Sequence, residues 1–128
     1  MKHLYTAIFV TDDDTVYARI PDLPGCVTTG DSLEDAIEQI TDAASLWLVV
    51  AEDQGREIPV ASAQADLDIP AGASCSLISV DTIAYRTATD TRAVRKNVSL
   101  PAWMVTMADK RGINCSRVLQ DALRRQLR

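Results

Sequence analysis

Three polar side chains alternate along the run RKNVSLPAW, residues 95–103: Arg95, Asn97 and Ser99. On a β-strand such positions share one face, so a guanidinium, a carboxamide and a hydroxyl stand in a row while Val98 and Leu100 turn the other way. Those groups suit base recognition. Arg reads guanine and Asn reads adenine through paired hydrogen bonds in the major groove, each good pair discriminating by roughly 1–3 kcal/mol. The plainer reading is a solvated polar strand in a dimerisation module, and the surrounding elements must decide between the two.

Other chemistry is less well supported. A two-metal nuclease needs convergent carboxylates in an all-oxygen setting. Acids are available at Asp12, Asp13, Asp14, Asp22, Asp31, Glu34 and Glu38. The first three fall in a turn, however, and the helical ones fall on a polar face, with no spacing that singles out a metal site. His3, the sole histidine, has no Ser or Cys partner in view for nucleophilic catalysis. Cys26, Cys75 and Cys115 show neither metal-ligand spacing nor a paired redox motif and read as reduced packing thiols. Trp47 and Trp103 sit in or beside apolar helical patterns and read as packing anchors. The expectation is a protein that binds rather than catalyses, with no cofactor and no metal.

Charge divides the 128 residues in two. Residues 1–90 hold 16 Asp and Glu against 4 Lys and Arg, a net −12, and residues 91–128 hold 2 acids against 9 bases, a net +7. An acidic body suits a basic protein partner, and a basic tail suits phosphate. The opening MKHLYTAIFV lacks the long apolar core and cleavage site of a signal peptide, and LWLVVA is too short to span a bilayer, so a cytoplasmic protein without membrane contact is expected.

The elements that position these groups follow from periodicity. LYTAIFV and TVYARI flank three aspartates and predict a hairpin. PDLPGC then ends the second strand sharply, and VTT offers a third. From Asp31 or Ser32 as cap, Leu33, Ala36, Ile37, Ile40, Ala44, Trp47, Leu48 and Ala51 recur at helical spacing towards a stop at Gly55. The last third of that helix is apolar on nearly every side and must be covered by its own domain or by another chain. Residues 60–74 are rich in Ala, Asp, Pro and Gly and read as loop, whereas CSLISV reads as a further strand. Residues 82–92, Thr-rich and without clear period, read as a linker. Two short helices follow, one after Pro101 and one after the Gly112 turn.

The domain limits are therefore 1–81, 82–92 and 93–128. The last unit, of about 35 residues, lies below the ~40 at which a lone domain normally folds without a disulfide or metal. It carries a single strand with two bare edges. A second copy resolves both problems: the strands pair antiparallel, four helices close over them, and twofold symmetry follows. Arg95, Asn97 and Ser99 then project from a two-stranded ribbon suited to the major groove. Lys96, the helix start at Asn114, Cys115 and Ser116, and Arg117 meet phosphates, with Lys110 and Arg111 adding attraction.

The run KNVSLPAWMVTMADKRGINCSRVLQDAL resembles a ribbon-helix-helix domain of the Arc and MetJ type, in its alternating strand ending in Leu-Pro, its Gly turn and the small polar start of its second helix. PDLPGCVTTGDSLEDAIEQI resembles the signature of HicB antitoxins. Together the two resemblances imply an α+β chain: a partial ribonuclease-H-like α/β domain, made of an antiparallel hairpin or sheet with one long helix, followed by a dimeric ribbon-helix-helix domain. They also imply an antitoxin that masks a small basic mRNA-cleaving toxin of the HicA type and represses its own operon as a homodimer or a tetramer. Tyr17, Asp22, Leu23, Pro24 and Cys26 are the toxin contacts so suggested. The rival reading is a ligand-sensing repressor whose first domain binds a small molecule.

Overall fold

The computed structural model describes residues 2–127. Strands β1 (Lys2–Asp12), β2 (Thr15–Arg19) and β3 (Val27–Gly30) lead into helix α1 (Leu33–Asp53). After a single 3-10 turn at Gln64–Asp66 come β4 (Ser74–Asp81), α2 (Thr82–Thr89), α3 (Ala102–Lys110) and α4 (Cys115–Leu127). The four strands form one antiparallel sheet in the order β3-β2-β1-β4.

Alternation on the strands decides what is buried. Tyr5, Ala7 and Phe9 of β1, Val16 and Ala18 of β2, and Ile78 and Val80 of β4 share the face that α1 covers. The helix answers with Ala36, Ile40, Ala44, Leu48 and Ala51, all buried along one stripe. The alanines in that stripe let the helix axis come close to the sheet. At Gly30 the approach is so close that a Cβ would lie 2.5 Å from the Ala36 nitrogen. The start of α1 is fixed by two side-chain hydrogen bonds: Ser32 Oγ accepts from the Asp35 amide at 3.1 Å, and the Asp35 carboxylate accepts from the Asp31 amide at 2.9 Å. Gly55, with φ +65°, ends it as the spacing predicts.

Residues 82–89 of the anticipated linker form α2. Asp81 caps it, its Oδ1 accepting from the amides of Ile83 and Ala84, both at 3.1 Å. Thr82 is buried and donates to Glu52 at 3.2 Å. Arg86 reaches the carboxyl end of α1, where its guanidinium meets Glu52 at 3.2 Å, Asp53 at 2.9 Å and the Val49 carbonyl at 3.3 Å. A cation there also complements the helix dipole. Residues 90–101 then run without regular structure.

Candidate functional site

Two surfaces carry the candidate residues. The first surrounds PDLPGC. Backbone bonds from the Ile20 amide to the Cys26 carbonyl, from Leu23 to Ile20 and from Cys26 to Leu23, at 3.0–3.1 Å, tie this loop back on itself, with Gly25 at φ +81°. The closure turns Leu23 and Cys26 into the core at 0% and 3% exposure. Both side chains therefore pack inside the chain rather than on its surface, and burial pushes the Cys26 thiol pKa up. Asp22 is committed as well: its carboxylate accepts from the Ser62 amide at 2.8 Å and the Ser62 hydroxyl at 2.7 Å, strapping the segment after α1 across the loop. Tyr5 secures the same segment by donating to the Pro59 carbonyl at 2.6 Å. Of the five residues expected to face a protein partner, Tyr17 and Pro24 remain exposed. They do not sit together. Tyr17 stands on the sheet face away from α1, beside Val10, while the Pro24 carbonyl accepts from Trp47 Nε1 of α1 at 3.0 Å.

Periodicity flagged the apolar end of α1 as needing cover, and the structure shows what was missed. Leu46, Trp47 and Val50 line an open groove against Gly25 and Val27, with the Arg56 guanidinium 5.7 Å from the Trp47 ring centre. The chain itself leaves that side of α1 half covered.

The second surface is the tail. Arg95, Lys96, Asn97 and Ser99 are exposed in the segment without regular structure, and Asn114, Cys115, Ser116 and Arg117 are exposed at the start of α4. The expected strand over 94–100 is not part of a sheet within the chain, and none of the described residues 91–127 is buried. Val98, Leu100, Trp103, Met104, Met107, Ile113, Val118, Leu119 and Leu123 all lie open. Single exposed apolar residues are ordinary, but a run of this density marks a surface made for contact. Asn114 proves to be a cap: its side-chain oxygen accepts from the Arg117 amide at 3.1 Å, and its carbonyl accepts from Val118. Helix geometry then leaves the Cys115 and Ser116 amides without intrahelical acceptors.

Among the described residues, no group of three or more His, Cys, Asp or Glu is placed to hold a metal ion, and no helix is long and apolar enough to cross a membrane.

Comparison with known proteins agrees over most of the chain. A sequence model described as the HicB-like antitoxin of bacterial toxin–antitoxin systems matches residues 5–119. A UPF0150 protein of Synechocystis sp. is 34% identical over 47 residues, a match spanning 37% of this chain and 64% of that one. Among solved structures, a toxin–antitoxin complex from Streptococcus pneumoniae superimposes with a TM-score of 0.62 at 21% identity, covering 98% of this chain and 99% of the other. The antitoxin HicB of Burkholderia pseudomallei does so with a TM-score of 0.57 at 23% identity, covering 94% and 96%.

Proposed function

Because the chain belongs to the HicB-like antitoxin family of bacterial toxin–antitoxin systems, we propose that it holds a HicA-type mRNA-cleaving toxin on its first domain and represses its own operon through a dimer of its tail. The observation that carries this reading is the contrast between the two halves. Residues 2–82 enclose a core, whereas the basic tail has two helices and no buried residue among those described. A tail of that kind needs a second copy to acquire an interior.

The proposed dimer is a ribbon-helix-helix unit. Residues 94–100 of two copies pair antiparallel, supplying the hydrogen bonds each lacks alone. Val98, Leu100 and the apolar faces of α3 and α4 become its core. Arg95, Asn97 and Ser99 face outward into the major groove, and the amides of Cys115 and Ser116, with Lys96 and Arg117, meet the flanking phosphates. β-Ribbons are an established way to read that groove, with Arc and MetJ as the standard examples.

The first domain works by binding. Its partial ribonuclease-H-like reading rests on three consecutive antiparallel strands backed by one long helix, and here that frame is a platform for a protein. Its net charge of −12 over residues 1–90 attracts a basic toxin and repels nucleic acid.

Two experiments test the proposal. Co-expression with a HicA-type toxin from the same operon should restore growth and yield a complex that co-purifies. Operator binding should require residues 93–128, and Arg95→Ala or Asn97→Ala should relax base preference as well as weaken affinity. Uniform weakening over all sequences would show that these side chains touch only backbone.

A further inference from the structure

One row of side chains on α1 is used neither by the core nor by the tail. Glu34, Glu38, Asp42, Leu46 and Val50 follow one another at intervals of four residues over about 24 Å, and because each step overshoots a full turn by about 40°, the row winds across the outward face of the helix from one flank of the buried stripe to the other. The three carboxylates are exposed, and no ion pair among the described residues engages them. The row then turns apolar. Leu46, 52% exposed, and Val50 line a groove of about 300 Å³ with Ala43, Trp47, Gly25 and the start of β3 at Val27. The groove is already shaped. Trp47 is held by its bond to the Pro24 carbonyl, and Arg56 lies against its ring. An aromatic side chain fixed before binding loses little freedom when a partner arrives.

Resting on the antitoxin reading, we infer that the outward face of α1 is where the toxin docks, with an apolar side chain in the groove beside Leu46 and basic side chains across Glu38 and Asp42 towards Glu34. Charge decides the occupant. A second copy would bring two acidic bodies, each net −12 over residues 1–90, face to face, and like charges opposed across an interface are costly. Nucleic acid is repelled for the same reason. A small basic protein gains attraction along the row and a desolvated anchor at its end, the usual arrangement of charged rim and central hot spot.

The test uses the full chain and a catalytically inactivated HicA-type toxin from the same operon. Leu46→Asp, and separately Glu38→Lys with Asp42→Lys, should each weaken binding about tenfold or more. The charge reversal should also flatten the dependence on salt. Leu77→Asp, on the sheet face away from α1, should change binding less than about twofold, an exposed site outside the contact. Circular dichroism checks that each variant folds. Amide exchange on the unaltered protein gives a second reading, with toxin protecting residues 24–27 and 42–50 rather than 4–10 and 75–79. Wild-type-like binding by both α1 variants overturns the assignment. So does loss confined to Leu77→Asp, which places the toxin on the other face. So does a change in the mass of the free protein without any effect on toxin, which makes the groove a contact between copies. Failure of the unaltered chain to bind toxin at all would instead remove the antitoxin reading itself.

Discussion

Truncating Leu119 to Ala separates a tail that dimerises from one that merely extends into solvent. In the single chain Leu119 is 39% exposed on α4, with no buried residue around it. A substitution there costs the monomer no more than about 0.5 kcal/mol. In the proposed dimer the same side chain enters the shared core, where Leu→Ala typically costs 2–5 kcal/mol. Twofold symmetry removes it twice, giving about 4–10 kcal/mol per dimer. At about 1.4 kcal/mol per decade, dimerisation should weaken by roughly a thousandfold to ten-millionfold. Sedimentation equilibrium over a nanomolar to micromolar series measures that constant, and thermal unfolding of the first domain is the control. An unchanged association constant would refute the reasoning. So would a fall in the first domain's melting temperature, which would mean that α4 packs on that domain.

Gly30→Ala should destabilise the first domain by about 1–3 kcal/mol, read from urea unfolding, because a methyl group there overlaps the Ala36 backbone and β3 cannot step back without leaving the sheet. A thiol reagent should modify Cys75 and Cys115 promptly in the folded protein and reach Cys26 only on unfolding, since Cys26 is buried and its thiol pKa is raised by that burial; mass spectrometry against time counts the labels. Acid should fray α2 before the core. Hydrogen bonds from the Ala84 amide first, and from Ile83, hold the Asp81 pKa below the usual carboxylate value. Its cap is therefore fully present above the unfolded pKa and is lost as pH falls through the folded one, which amide exchange at residues 83–86 would follow.

How far the sequence reveals the fold depends on where each element gets its stability. β1, β2 and α1 were legible because their apolar residues repeat at the period of the element they form, with local stops at the aspartate turn, Ser32 and Gly55. α2 was not legible. Its one apolar position near the start, Ile83, makes no stripe, and the helix is held by Arg86 on Glu52 and Asp53, more than 30 residues earlier. The burial of Leu23 was no easier to read, whereas that of Cys26 fits its reading as a packing thiol. A loop with two prolines and a glycine normally lies outside, yet three backbone bonds fold this one so that both side chains point in. The row from Glu34 to Val50 could be written down from the sequence, but its meaning depends on which side of α1 the sheet covers. The tail showed its pattern and its lack of a core together, and for that reason its reading requires a second copy.

Amide exchange at residues 94–100, followed as the intact protein is diluted, tests that requirement most directly. The account predicts strand-like protection at micromolar concentration, lost together with the fall in mass from twice 14.0 kDa to 14.0 kDa. Amides that exchange as fast as an unfolded chain at every concentration, or that stay protected in a strict monomer, would contradict it.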